Sequence, residues 1–150
     1  MADRKSGHGI YYYLDGTKYH GKWDNDKRNG HGNYFYLNGN KYKGDFEDGV
    51  VEGQGVFTWT NGDKYDGSWK NEKMDGLGTF YYVSGGKYEG YWQNDQREGQ
   101  GVFYYTDGTN YDGQWHKDKR HGRAKVTDQE GKVTNDRWVN GKIPINPLFA

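Results

Sequence analysis

Glycine returns every 23 residues along this chain, and no insertion or deletion interrupts the spacing. One such series runs Gly7, Gly30, Gly53, Gly76, Gly99 and Gly122. Two series of aromatic residues have the same 23-residue spacing. The first is Tyr19, Tyr42, Tyr65, Tyr88 and Tyr111, and the second is Trp23, Phe46, Trp69, Trp92 and Trp115. A constant period of this length is the signature of a repeat architecture, in which each unit is one supersecondary element. The chain is therefore predicted to be a stack of six similar units.

Each unit has the sequence pattern of a β-hairpin. An Asn-Gly or Asp-Gly dipeptide, such as Asn38-Gly39 or Asp107-Gly108, lies between two runs of aromatic and β-branched residues. That arrangement is the strongest short-range signal for a hairpin. A helix is disfavoured because glycine recurs too often and the aromatic and β-branched share is too high. The predicted fold class is all-β.

The alternation of side chains along a strand predicts the length of the hairpin loop. In the fifth unit, regular residues lie at alternate positions before the turn, as in Phe103, and after it, as in Tyr111. A three-residue loop, closed by a glycine in the left-handed region, pairs Phe103 with Tyr111 and places all regular residues on one face. A two-residue loop would divide them between the two faces. We therefore predict the three-residue loop, since a buried face normally fixes the register.

Glycine and aromatic residues replace the usual aliphatic core. Gly accounts for 25 of the 150 residues and aromatics for 18%, whereas Leu, Ile, Val and Phe together number only 21. A ring such as Tyr111 needs flat space beside it, which Gly101 and Gly113 provide because they have no side chains. Aromatic residues are also enriched among the hot spots of protein interfaces.

The regular rings are therefore candidates for contact with a protein partner, as a groove for a helix or an extended peptide. These candidates are Tyr19, Trp23, Tyr42, Phe46, Tyr65, Trp69, Tyr88, Trp92, Tyr111 and Trp115. The alternative is that the rings only pack on one another. The two roles are compatible, since rings that pack edge to edge can still expose one side.

The chain divides into an extension at 1–6, six repeats over 7–141 and a tail at 142–150. The last repeat departs from the pattern, with Ala124 and Asp136 in place of glycines, as expected of a unit that caps an open stack. The tail contains both prolines of the chain and is unusually apolar. Its apolar side chains include Ile143, Ile145, Leu148 and Phe149. We predict that the tail either straps the last hairpin or docks on a partner.

Enzymatic activity, metal binding and nucleic-acid binding find little support in the sequence. There is no cysteine, and none of the three serines lies in a nucleophile-elbow context. The loop that starts at Asp24 fails as a calcium loop because Arg28 holds the fifth position, where an oxygen ligand is needed. The 21 Lys and Arg residues balance 21 Asp and Glu residues, which argues against a nucleic-acid partner. We predict no catalytic residues, no cofactor and no metal.

A lysine row near the hairpin tips is a possible lipid-binding site. The row consists of Lys18, Lys41, Lys64 and Lys87. Basic residues near an anionic membrane contribute about 1 kcal/mol each to binding. Nearby acidic residues such as Asp66 cancel much of this attraction, and a charged row on a sheet more often prevents aggregation of its edges. Membrane binding therefore ranks below protein binding.

The repeat is most regular in the segments Tyr42–Phe46, Gly53–Phe57, Tyr65–Trp69 and Tyr88–Trp92. This pattern, which extends over 7–141, is similar to the MORN (membrane occupation and recognition nexus) repeat family. The resemblance implies an elongated, twisted, single-layer antiparallel sheet of consecutive hairpins. It also implies a role as a scaffold in cilia, cortical cytoskeleton or membrane junctions, or as an accessory module on an enzyme.

The sequence and the resemblance together predict a non-enzymatic scaffold that binds a protein partner within a larger cytoskeletal assembly. The expected location is the cytoplasm, and by analogy with the family the axoneme of a cilium or flagellum and its spokes. No apolar segment follows the charged N-terminal residues, which disfavours a secretory signal. The alternatives are a peripheral protein that binds anionic phosphoinositides and a regulatory subunit of an enzyme. Homodimers through sheet edges or ends are also possible.

Overall fold

The computed structural model describes residues 4–144 as one open sheet of twelve strands. The strands are β1 (Gly7–Tyr12), β2 (Lys18–Asp24), β3 (Lys27–Phe35), β4 (Lys41–Glu47), β5 (Val50–Thr58), β6 (Lys64–Lys70), β7 (Lys73–Tyr81), β8 (Lys87–Gln93), β9 (Gln96–Tyr104), β10 (Asn110–His116), β11 (Lys119–Thr127) and β12 (Val133–Trp138). Every strand pairs antiparallel with its neighbours in sequence. Across the described residues there is no helix that could cross a membrane. The predicted all-β class and row of hairpins are confirmed.

The loop inside each repeat has three residues, as predicted. In the fifth repeat, the Tyr105 N–H donates to the Thr109 carbonyl at 2.9 Å, and the Gly108 N–H donates to the Tyr105 carbonyl at 3.2 Å. Gly108 has a φ of 90°, so a type I turn ends in a left-handed glycine bulge. Phe103 consequently pairs with Tyr111. This register places all the regular residues of the repeat on one face.

Two-residue turns join neighbouring repeats, a feature that the sequence analysis did not identify. Asn94 and Asp95, with φ of 47° and 67°, separate the paired residues Gln93 and Gln96. Positive φ at both central residues defines a type I′ turn, which Asn, Asp and Gly adopt most readily. Residues 4–144 contain five such junctions and one equivalent turn after the last repeat, Asn140-Gly141; five of these six turns begin with Asn or Asp, and the exception is Lys117. The polar residues that fail as a calcium loop are therefore turn residues.

The glycines beside the rings act as the predicted clearings. Tyr65 lies across Gly78 of the next strand, where an added Cβ would lie less than 3.0 Å from the Tyr65 hydroxyl oxygen. In the last repeat Ala124 takes the place of this glycine, and the planes of the Tyr111 and Trp115 rings lie at 75° to each other. The corresponding angle in the earlier repeats is 85–89°. The ring thus tilts to accommodate one methyl group.

Candidate protein-binding surface

The ten rings predicted as partner contacts form an inner ring layer that is buried. Their exposed fractions range from 0% for Tyr19 to 8% for Trp23. The five tyrosine hydroxyls and three of the four indole N–H groups of this layer donate to backbone carbonyls: Tyr65 donates to Ser68 at 2.8 Å, and Trp69 donates to Gly55 at 3.0 Å. With so little exposure, these rings do not form a surface along which a partner segment could lie. The inner ring layer is therefore the core of the sheet, and the expectation that its rings expose one side is wrong.

Burial also shifts the titration of the inner tyrosines. Desolvation of the hydroxyl raises the pKa of Tyr19 to about 12, and it raises the pKa of Tyr65 further. Desolvation disfavours the charged phenolate. The inner tyrosines are therefore neutral hydrogen-bond donors over the whole physiological range.

A second set of rings, the outer ring row, covers the inner layer and is half-buried. Its members are Tyr11, Tyr13, Tyr34, Tyr36, Phe57, Trp59, Phe80, Tyr82, Phe103 and Tyr105. The centroids of successive rings are 4.5–6.0 Å apart along the whole row. Such distances are typical of favourable aromatic pairs. The row is thus a continuous aromatic strip that runs across five repeats and keeps one side in contact with solvent.

Cations lie beside the rings of the aromatic face in several repeats. The guanidinium carbon of Arg28 lies 4.8 Å from the Tyr34 ring, and that of Arg120 lies 4.0 Å from the Trp138 ring. Lys5 Nζ lies 4.2 Å from the Tyr11 ring. These distances fall within the range of cation–π attraction. The aromatic face is therefore not uniformly apolar, because basic groups lie among its rings.

The lysine row lies on the opposite face, and three of its four ammonium groups make local contacts. Lys18 Nζ lies 4.3 Å from the Phe35 ring, Lys64 Nζ lies 4.6 Å from the Tyr81 ring, and Lys87 pairs with Glu89 at 2.7 Å. An ammonium group already held over a ring or against a carboxylate has less to gain from a lipid phosphate.

The remaining predictions concern the apolar tail, metal binding and the surface histidines. Ile143 of the tail is 50% exposed, while Ile145, Leu148 and Phe149 lie outside the described residues. Within residues 4–144, no group of three His, Cys, Asp or Glu side chains is placed to hold a metal ion. The His116 ring nitrogen Nδ1 lies 2.8 Å from a carboxylate oxygen of Glu98, within hydrogen-bond distance. The hydrogen bond from the Lys117 N–H, and to a lesser degree that with His116, lowers the pKa of the Glu98 carboxyl below its usual range.

The outer ring row was within reach of the sequence analysis. Side-chain alternation already placed Phe103 and Tyr105 on the face of the regular rings. The pattern alone gave no means to rank them by exposure. Tyr105 lies where the paired strands end and the loop begins, so fewer residues cover its ring. Tyr111 lies within the paired strands, and the next repeat encloses its ring.

A family model for the MORN repeat matches residues 1–18, 19–41, 42–64, 65–87, 88–110 and 111–133. The chain belongs to the MORN repeat family. The five matched segments after the first begin at the inner tyrosines, so they have the 23-residue period of the glycine series with a different starting point. Membership indicates a role in protein interaction or membrane association, in a family that is generally non-enzymatic. No curated protein matches the sequence.

Two of the solved structures that this chain resembles overlap with it only weakly. The TCP domain of SAS-4 (dCPAP), solved with a proline-rich motif of Ana2 (dSTIL) of Drosophila melanogaster, is 15% identical to this MORN chain, with a TM-score of 0.41. The match covers 92% of this chain and 97% of that domain. A catalytically inactive virginiamycin B lyase from Staphylococcus aureus with quinupristin is 12% identical, with coverage of 93% and 44% and a TM-score of 0.21. Both overlaps are too low to support a functional argument.

Proposed function

We propose that this MORN chain is a non-enzymatic scaffold that binds a helix or an extended segment of a protein partner along the outer ring row. The observation that carries the proposal is the continuity of the row: ten half-buried rings in contact across five repeats. A linear strip of this kind fits a linear partner segment.

The physical case rests on rings that are already fixed. The centroid of the Trp59 ring lies 4.5 Å from that of Phe57 and 5.2 Å from that of Phe80. These neighbours hold the Trp59 rotamer before any partner binds. Ordering a side chain on binding costs roughly 0.5–1.5 kcal/mol, and a preordered ring avoids most of that cost. Trp and Tyr are also the residues most enriched among interface hot spots. The outer ring row therefore offers exposed aromatic area at low entropic cost.

Peptide selection on the full chain tests the proposal. A phage library of random peptides long enough to span three repeats is selected against the protein, and the affinities of synthesised peptides are measured by calorimetry. The row variant is Trp59→Ser with Tyr82→Ser. The matched control is Tyr81→Ser with Tyr104→Ser, because these two residues are 40% and 36% exposed on the opposite face. We expect the row variant to bind at least tenfold more weakly and the control to bind normally. Equal binding by the wild type and the row variant would refute the proposal.

The cellular setting that we propose is a cytoskeletal assembly in the cytoplasm, namely the axoneme of a cilium or flagellum. Family membership supports this setting by analogy only. A fluorescently tagged chain expressed in ciliated cells tests it, because diffuse cytoplasmic fluorescence would contradict an axonemal location.

Two further interactions follow from the architecture as lesser proposals. Within residues 4–144, β1 and β12 each have one unpaired edge, and unpaired edges can pair with a second copy of the chain. Light scattering during gel filtration reports such a dimer. Binding of the lysine row to anionic phosphoinositides is the alternative function. Salt-sensitive co-sedimentation with phosphoinositide vesicles, lost on Lys41→Gln with Lys64→Gln, would favour it.

A further inference from the structure

A recurring position on the aromatic face, which we call a slot, is bordered by three residues. They are a residue near the start of one strand, the inner ring of the next strand, and the second residue of the type I′ turn that follows. The Arg97 slot shows the arrangement when it is filled. The guanidinium carbon of Arg97 lies 4.5 Å from the Trp115 ring, its Nε donates to an Asp118 carboxylate oxygen at 3.1 Å, and an Nη donates to the Asp118 carbonyl at 2.8 Å. The chain thus uses a ring and a carboxylate together to hold its own guanidinium group.

The equivalent slot two repeats earlier has the ring and the carboxylate but no cation. Val51 stands where Arg97 stands, Trp69 replaces Trp115, and Glu72 replaces Asp118 at the type I′ turn. The turn keeps the same backbone anchor, since the Glu72 N–H donates to the Val51 carbonyl at 3.0 Å. The Val51 slot is therefore the Arg97 slot without its arginine side chain.

The Val51 slot is open and faces the outer ring row. A cavity of about 360 Å³ is lined by Tyr36, Asn38, Asn40, Val51, Phe57, Trp69 and Glu72. This volume is many times the roughly 10–15 Å³ that one water needs, so the cavity has room for atoms of a further side chain. In the intervening repeat Met74 is 8% exposed and takes the corresponding position. The Val51 slot is thus set apart by its small, neutral side chain.

The charge of the Val51 slot is negative. Among residues 4–144, Glu72 forms no ion pair. The arginine of the preceding repeat, Arg28, is held by other groups: its Nη donates to the Gly49 carbonyl at 2.6 Å, and its guanidinium carbon lies 4.8 Å from the centroid of the Tyr34 ring. A carboxylate beside aromatic rings attracts a cation by ion pairing and by cation–π interaction together.

We infer that the Val51 slot receives an arginine side chain of the protein segment bound along the outer ring row. The inference rests on the proposed function, because the arginine belongs to that segment. Arginine fits better than lysine, since a planar guanidinium stacks on a ring while its N–H groups reach a carboxylate, as Arg97 does. The slot would fix the register of the partner against the repeats.

A small-molecule probe tests the slot independently of any partner peptide. N-acetyl-arginine methylamide is titrated into the full 15N-labelled chain, and the six tryptophan indole signals are followed by NMR. The neutral isostere N-acetyl-citrulline methylamide is the control ligand. We expect a saturable shift of the Trp69 indole with the arginine probe, at least threefold weaker binding of citrulline, and little shift at Trp115. Equal shifts at Trp69 and Trp115, or equal affinities for the two probes, would overturn the inference.

Three variants sharpen this test. Glu72→Gln changes an exposed turn residue without touching the core, and should weaken the arginine probe at least threefold. Val51→Arg should fill the slot from within and abolish the shift. Arg97→Val should open a second slot, so that the Trp115 indole now responds. An unchanged probe affinity in Glu72→Gln would contradict the inference even if the other two variants fail to fold.

The outcomes separate this inference from the proposed function. If selected peptides lose affinity for the row variant but bind Val51→Arg and Glu72→Gln normally, the scaffold role stands and the arginine slot is wrong. If the arginine probe binds the Val51 slot but no peptide depends on the outer ring row, the scaffold role fails. Binding to neither rejects both.

Discussion

Replacing Gly78 with alanine tests whether the repeat glycines are clearings for the inner rings. The φ of Gly78 lies outside the left-handed region, so alanine is compatible with the backbone and any cost arises from contact. The added Cβ would lie less than 3.0 Å from the Tyr65 hydroxyl oxygen, whereas non-bonded carbon contacts are optimal at about 3.5–4.0 Å. The Tyr65 ring or its strand must therefore shift by roughly 1 Å.

The cost of that shift follows from the contacts of Tyr65. The ring meets Trp69 at 5.1 Å and Trp92 at 5.5 Å, both edge to face, and each such pair contributes about 0.5–1.5 kcal/mol. Its hydroxyl bond to Ser68 contributes about 1 kcal/mol more. The last repeat contains Ala124 at the equivalent position, where the Tyr111 ring is tilted but its hydroxyl still donates to the Gln114 carbonyl at 2.7 Å. We therefore expect only part of the stabilisation from the Tyr65 contacts to be lost. We expect Gly78→Ala to destabilise the chain by about 2 kcal/mol, within the range for overpacked cores.

Denaturant unfolding, followed by tryptophan fluorescence and by circular dichroism, measures this change. Both probes are needed because repeat proteins can lose two-state behaviour. Tyr65→Phe removes the oxygen that the new methyl group meets first, so the double variant should be less destabilised than the sum of the single variants by about 1 kcal/mol. The reasoning is refuted if Gly78→Ala is neutral or stabilising, or if the two changes add without coupling.

Three further predictions concern titration and turn geometry. The folded pKa of Tyr19 is about 12 against an ordinary 10.0, so the stability from its burial is complete below pH 10 and is lost as the pH rises towards 12; Tyr19→Phe should therefore flatten the alkaline limb of a thermal-melt series. Lys117 has a φ of 48° where other repeats have Asn or Asp, and Lys117→Asn should raise the free energy of unfolding by about 1 kcal/mol, a gain that Lys117→Ala should lack. The lowered pKa of Glu98 contributes stability that is present above its ordinary pKa of 4.5 and is lost as the pH falls through its folded value, so Glu98→Gln should flatten the acid limb of a thermal-melt series.

Much of the fold could be read from the sequence because it depends on local chemistry. Gly108 after Asp107 defines the hairpin turn, and the alternation of Phe103 and Tyr105 with Tyr111 defines the loop length and the register. The type I′ turns were missed although Asn94 and Asp95 carry their signal. Those turns lie inside charged segments, where the same residues fit several structures.

The candidate site was harder to predict because exposure is a property of packing. Tyr88 and Tyr82 are both tyrosines on the same face, yet Tyr88 is 0% exposed while Tyr82 keeps a solvent-facing side. The difference arises because the hairpin that follows lays Gly101 beneath the Tyr88 ring and encloses it. Sequence periodicity treats the two positions alike.

The sequence by itself determined the 23-residue unit, the strand-forming residues and the common face of the rings, because these depend on spacing within one hairpin. Only the tertiary structure decided which rings are core and which are surface, and which slot stands open. The slot depends on Val51, Trp69 and Glu72, which belong to successive elements and meet only when neighbouring hairpins pair. Burial is the sum of contacts from several repeats, so no single repeat contains the information that fixes it.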